Sequence, residues 1–207
     1  MTQDAERDVK RREFFDRCAT GWEDRNYTPE LRRQVGEMLA GLALTEGMTI
    51  LDAGCGQGIL LPFLRHLVGD NGRLIALDAS AAMLEGVVER DAKTLAVHAP
   101  AEKIPLIDKY VDRVICFSAF PHFSDKAVVA TEFFRVLKPG GRAYVLHIGN
   151  REVINRLHDM YKAVEGDHLP SEHGMRAIFT KAGFSDIILD EGDAHYYFSA
   201  VKQESVC

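Results

Sequence analysis

Long apolar runs are missing from this chain. None of its 207 residues lies in a stretch approaching the roughly 20 apolar positions that span a bilayer. The first residues, Met1-Thr2-Gln3-Asp4, are polar and acidic and lack a signal-peptide core, so no membrane partner and a cytoplasmic location are expected. Cysteine is scarce: Cys18, Cys55, Cys116 and Cys207 show no C-x-x-C spacing and read as free thiols in a reducing compartment. Positive charge is short as well. Twenty-five lysines and arginines face 31 acids for a net charge of −6, which disfavours nucleic acid as a partner. The one basic cluster, Lys10-Arg11-Arg12, is interleaved with Asp8, Glu13 and Asp16, as on a solvated helix face. His158, His168 and His173 stand near Asp159, Asp167 and Glu172. They lack H-x-x-x-H or H-E-x-x-H spacing, so no metal is expected.

What the chain does have is an ordinary globular composition, 46% hydrophobic and 27% charged, in a length that suits one domain. It also has one organising stretch, Met48 to Gly58. An apolar strand runs into a glycine-rich turn, and a helix follows through Ile59, Leu60, Leu61, Leu64 and Leu67. This is the nucleotide-handling unit of doubly wound α/β folds. The glycines fall at 54, 56 and 58, and Ile59 stands where a dinucleotide loop would place its third glycine. The strand ends in Asp52, a poor neighbour for pyrophosphate and a good one for an ammonium or sulfonium. The loop therefore fits a cationic ligand with an adenosine half. Cys55 within it reads as a small residue in a tight turn rather than a nucleophile.

The remaining elements follow from periodicity and punctuation. A helix is expected over 4–19, and a second begins where Thr28 caps Pro29. Strands are expected at 48–52, 73–78, 94–98, 110–117, 142–148, 184–189 and 195–201. Helices should start near Ile59, Ser80, Ser124, Asn150 and Ser171. The helix after Ser124 is expected to run to Leu137 and stop at Lys138-Pro139-Gly140-Gly141, and the helix after Asn150 to end near Val164. The linker 190–193 is too short for a helical crossover, so the last two strands should be antiparallel. Asp78 lies about twenty residues past the glycine loop, the spacing at which a carboxylate takes a ribose hydroxyl pair.

"ILDAGCGQG" closely resembles the cofactor loop of class I S-adenosylmethionine-dependent methyltransferases, and "RVLKPGGRAYVL" is a second strong resemblance to that family. "FFDRCATGW" resembles the lid of its small-molecule members, the ubiquinone/menaquinone-methyltransferase-like branch, and "APAEKIPL" its adenine segment, with Pro100 in place of the usual Asp. The resemblance implies a Rossmann-like seven-stranded sheet, order 3-2-1-4-5-7-6, with helices on both faces and the last strand antiparallel. It implies a single domain: a helical lid over 1–44, a cofactor-binding core over 45–148, and substrate-side helices with a terminal hairpin over 149–207. S-adenosylmethionine is the implied cofactor. Backbone at Ala53, Gly54 and Gly56 would pass under its methionine part, Asp52 would offset its charge, and Asp78 would take the ribose. Ala79 and Met83 would flank the adenine with Ala101 and Glu102, and Phe117 and Ser118 would meet the amino-acid end. Phe15 and Trp22 either cover the cofactor or pack the lid onto the sheet.

Ligands in open α/β sheets bind outside the carboxyl ends of the strands. His122, after the fourth strand, and His147, near the end of the fifth, are therefore the candidate bases. The loop after the fourth strand lacks an N-P-P-Y-like run and a Pro-Cys pair, which argues against methylation of nucleobase amines and of cytosine carbon. The function expected is in-line methyl transfer to a small-molecule acceptor. A non-catalytic S-adenosylmethionine-binding module is the first alternative. An NAD-type oxidoreductase is the second, against which Ile59 and Asp52 speak.

Overall fold

A computed structural model describes residues 3–204. Three helices open the chain: α1 (Gln3–Cys18), α2 (Trp22–Asn26) and α3 (Pro29–Ala40). Strands and helices then alternate as β1 (Thr49–Ala53), α4 (Leu61–Val68), β2 (Arg73–Asp78), α5 (Ala81–Arg90), β3 (Leu95–His98), β4 (Val111–Phe117), α6 (Lys126–Val136), β5 (Leu137–Ile148), α7 (Arg151–Asp159), α8 (Glu172–Lys181), β6 (Ser185–Gly192) and β7 (His195–Val201). The seven strands form one sheet in the order 3-2-1-4-5-7-6. β1 to β5 pair in parallel, while β7 runs antiparallel to both β5 and β6. Among the described residues no helix is long and apolar enough to cross a membrane.

Successive side chains of a strand point to opposite faces, so a sheet buried on both sides builds two cores. Leu51 and Ala53 of β1 pack on one face with Phe133 of α6 and Phe179 of α8. Ile50 packs on the other with Leu39 of α3, Leu64 of α4 and Val87 of α5. No described side chain of α1 joins either core. Helix starts follow the capping residues: the side chains of Thr28, Ser80, Asp125, Asn150 and Ser171 each accept a first-turn backbone N–H.

Several boundaries differ from the sequence reading, among them that of β6, which runs on to Gly192 through most of the expected linker. α4 starts at Leu61 rather than near Ile59, because Cys55–Leu61 is taken up by tight turns, Gly58 N–H bonding Cys55 O and Leu61 N–H bonding Gly58 O. α7 ends at Asp159, and the chain to Val164 continues in turns. The "LKPGG" run is not a stop and a turn but the irregular start of β5, with Leu137 opposite Val111. Partners distant in sequence hold it there. Gly140 N–H bonds Lys202 O, Lys202 N–H bonds Gly141 O, and the Lys202 ammonium donates to Phe134 O and Leu137 O at the end of α6.

Candidate active site

The carboxyl ends of β1, β2 and β4 meet under α1, and the glycine loop lies at their centre. Gly54 N–H and Cys55 N–H both bond Leu77 O, which pins the loop to β2. Gly54 sits at φ +75°, and a Cβ there would lie 2.4 Å from the Ala119 Cβ, so β4's following turn requires glycine at this point. Gly56, at φ +53°, is different: a Cβ there would meet nothing within 4 Å and would project into open space above the loop. Asp78 closes the arrangement. One carboxylate oxygen accepts Gly56 N–H and the other Ser80 N–H, each at 2.8 Å, so a single side chain braces the loop and starts α5. Burial raises the Asp78 carboxyl from its ordinary value against the lowering effect of these bonds.

Asp52 lies beneath the loop, 2% exposed, with one carboxylate oxygen that has no hydrogen-bond partner in the protein. Burial, and then the charge of Asp78, push it up to about 8. A buried acid without a compensating donor or cation favours its neutral form. Burial and the same two carboxylates also push the Cys55 thiol well up, which leaves it protonated and a poor nucleophile.

One cavity opens above the loop. Gly54, Gly56, Asp78, Ala79, Met83, Ala101, Glu102, Phe117 and Ser118 line it, as the sequence predicts. Asp52 and Ala53, also predicted, do not: they lie in β1 below the surface that the loop presents. Glu102 reaches the cavity with one oxygen engaged by Ser124 N–H, so it also ties the loop before α6. Ser118 holds a left-handed backbone, φ +54°, at the end of β4, a strained geometry for a residue with a side chain. Phe15 and Trp22 both line the cavity from above, their rings edge to face at 5.8 Å.

His122 lines the cavity too, still 16% exposed, with its ring edge to face against Phe15, the centroids 5.1 Å apart. Its Nδ1 lies 2.9 Å from Asp167 Oδ2. Burial pulls the His122 imidazole below its ordinary value, while Asp167 pulls it up and His158, its ring 4.7 Å off, pulls it down. Asp167 is itself deeply buried. Burial alone would raise its carboxyl, yet hydrogen bonds from His122 and Arg11 hold it well below the usual carboxylate range. The ionised carboxylate can only accept, so Nδ1 of His122 carries the proton and Nε2 keeps its lone pair.

The structure does not bring His147 to this cavity. It is 3% exposed, on the face of the sheet that also buries Val145 and Tyr196, with its ring 6.0 Å from the Tyr196 ring. A shift of one residue along a strand exchanges faces, and His147 shares the buried face of Val145 and Tyr196 without reaching the cavity lining. Its Nε2 has no partner in the protein, and burial pushes its pKa down to about 3, which keeps it neutral. Asp167 is the site residue that sequence reasoning missed. Nothing within 40 residues of His122 in the chain signals their contact. Arg11, taken from its mixed-charge neighbours as a solvated residue, is instead buried in the site. The His-rich stretch divides: His158 bonds Asp167 O and His168 bonds Asp159. Among the described residues no group of three or more histidine, cysteine or acidic side chains is placed to hold a metal ion.

Comparison with known proteins agrees with this geometry. Residues 51–145 match the methyltransferase domain family. A malonyl-[acyl-carrier protein] O-methyltransferase of Yersinia pestis is 32% identical over 167 residues, covering 77% of this chain and 59% of that protein. A ubiquinone/menaquinone biosynthesis C-methyltransferase, UbiE, of Proteus mirabilis is 30% identical over 156 residues, covering 72% and 57%. The chain thus spans little more than half the length of these curated relatives. The crystal structure of a methyltransferase from Aquifex aeolicus superimposes with a TM-score of 0.71 at 23% identity, covering 88% of this chain and 97% of that one. With the sheet order and the glycine loop in agreement, residues 51–145 of the chain form a class I S-adenosylmethionine-dependent methyltransferase domain.

Proposed function

We propose that this chain transfers a methyl group from S-adenosylmethionine to a small acceptor that gives up a proton as it reacts. The observation that carries this reading is a single cavity in which the braced glycine loop and Asp78 face a histidine held in one tautomer by a buried carboxylate.

The residues fit the cofactor. Open space above Gly56 leaves room for its methionine part, and Asp78 stands at the end of β2 for the ribose hydroxyls. Ala79, Met83 and Ala101 would border the adenine, and Phe117 and Ser118 the amino-acid end. The unpartnered oxygen of Asp52 supplies a countercharge beneath the loop. When bound, S-adenosylmethionine supplies a methyl group on an already activated sulfonium leaving group, so an in-line displacement needs alignment and dry surroundings more than covalent help.

The protein's own part is to align, to exclude water and to move a proton. Phe15 and Trp22 roof the cavity. His122 Nε2 takes the proton from an oxygen or nitrogen of the acceptor, while Asp167 holds Nδ1–H and stabilises the imidazolium that forms. A lid hydrogen-bonded at both edges of the cavity, Asp16 accepting from the Ser80 hydroxyl and Asp8 from the Ser124 hydroxyl, favours an acceptor small enough to lie beneath it.

Calorimetry with S-adenosylmethionine and S-adenosylhomocysteine tests the reading, and both should bind. Asp78→Ala should weaken S-adenosylhomocysteine binding by about 1–3 kcal/mol, the loss of a charge-assisted hydrogen bond with hydroxyls left unpaired. No binding of either compound to folded protein at high micromolar concentration would sink it. A sign follows from Asp52 as well. Its raised value leaves it largely protonated at pH 7, and a sulfonium nearby favours the carboxylate. S-adenosylmethionine should therefore release more protons on binding than neutral-sulfur S-adenosylhomocysteine does, read as a buffer-dependent binding enthalpy. Equal release would remove Asp52 from the charge balance of the site.

A further inference from the structure

Asp167 is shared between the base and the lid. Oδ1 accepts Arg11 Nη2 at 2.7 Å and Arg7 Nη2 at 3.0 Å, and Oδ2 accepts Arg11 Nε at 2.8 Å and His122 Nδ1 at 2.9 Å. An ionised carboxylate has about four lone-pair sites. All four are used here, and three of the donors come from α1. The Arg11 fork is bidentate, and its remaining Nη1 bonds Asp8 and Ser124. Without the donors of α1, this carboxylate keeps His122 as its one side-chain hydrogen-bond donor among the contacts above. A carboxylate beside an imidazole favours the imidazolium, and an arginine beside both opposes it.

We propose, on the reading of His122 as the base, that Asp167 is a positioning residue which couples that base to the lid. With α1 closed, Arg11 neutralises Asp167 and leaves His122 a neutral proton acceptor; with α1 lifted, Asp167 pairs with His122 alone and holds it as imidazolium. The proton balance is explicit. Closure releases the His122 proton to solvent, and the vacated Nε2 then takes the proton that the acceptor loses. A base that is blocked while the cavity is open does not act on molecules that enter before the lid shuts. The charged and titratable groups around His122 are Arg7, Asp8 and Arg11 on α1, Asp167 in the turn after α7, His158 on α7, His147 on β5 and Lys126 at the start of α6. Only Arg11 and Arg7 join Asp167 to the lid.

The test is the titration of His122 in the full chain labelled with ¹⁵N-histidine, its signals assigned by their loss in His122→Gln. At pH 7 with S-adenosylhomocysteine present, the wild type should show the Nδ1–H tautomer. Arg11→Gln should raise the His122 midpoint by roughly one to three pH units, and Asp167→Asn should lower it, the opposite signs expected when a cation or an anion is removed nearby. Arg11→Lys keeps the charge and should restore most of the wild-type midpoint. In turnover, Arg11→Gln should lower kcat at neutral pH and recover it at higher pH. If Asp167→Asn does not fold, the Arg11→Gln and Arg11→Lys pair decides alone. Midpoints that stay put, or that move in the same direction in folded Arg11→Gln and Asp167→Asn, overturn the coupling. Failure to bind S-adenosylhomocysteine would instead overturn the proposed function, because the midpoints can also be read in the protein without it.

Discussion

Gly54→Ala should leave a protein that is severely destabilised, whereas Gly56→Ala, two residues on, should fold and fail to bind cofactor. Both glycines have positive φ, at +75° and +53°, and alanine in that region costs about 1–2 kcal/mol. At Gly54 the new methyl also lies 2.4 Å from the Ala119 Cβ. Neither atom is the end of a flexible chain, so β1 and the turn after β4 must separate, and overpacking of this kind costs about 1–3 kcal/mol more. The two terms together take a large share of the ~5–15 kcal/mol that holds a domain folded. At Gly56 the methyl meets no protein atom. Its backbone cost is modest, but it occupies the space above the loop that the proposed function gives to the cofactor's methionine part. Urea unfolding and calorimetry with S-adenosylhomocysteine separate the two. The assignment of the loop fails if Gly56→Ala binds as the wild type does.

His122→Gln should lower kcat by roughly 10²–10⁴, the usual worth of a general base, with cofactor affinity nearly unchanged. His147→Gln should leave kcat where it is. The wild-type rate should fall with acid, and the sign fixes where. Burial lowers His122 from its ordinary value, so its neutral, proton-accepting form persists to lower pH than a free imidazole of pKa about 6.5 would allow. The acid limb of kcat, which reports the closed complex, should therefore lie below that value and vanish in His122→Gln. A limb that survives the substitution belongs to another group, and a wild-type kcat in His122→Gln removes the base from the mechanism.

The strands and most of the cavity-lining residues were legible because their signals are local, whereas the sheet order came with the family resemblance alone. A glycine loop between an apolar strand and a helix is spelled out by adjacent residues, and Asp78 is found by counting along one βαβ unit. His147 has a different property: it stands near a strand end, and which way such a residue faces depends on a register that a single-residue shift reverses. It does not line the cavity in which the sequence reading set it. The start of β5 escaped for a related reason. Leu137 to Gly141 contains proline and two glycines and reads as a turn, but Lys202, far along the chain, supplies the partners that make it strand. Asp167 and Arg11 are 156 residues apart and meet only when the lid folds over the sheet. Local pattern gives no weight to such a pair, and Arg11 was read as part of a solvated helix face.

The way α1 is attached has a consequence for how the protein responds to its medium. The helix places no described side chain in either core and is fastened by charged and polar bonds from Arg7, Asp8, Arg11 and Asp16, with Phe15 resting on His122. Salt screens the half-exposed contacts of Arg7 and Asp8, reaches the buried Arg11–Asp167 pair much less, and leaves buried apolar contacts alone. Ionic strength therefore acts on the lid ahead of the sheet. Added salt loosens α1, and its backbone amides exchange with solvent through a local opening of low free energy while those of β1 and β4 wait for global unfolding. The catalytic core and its cover thus have separate stabilities, one set by the two apolar layers and the other by the electrolyte around them.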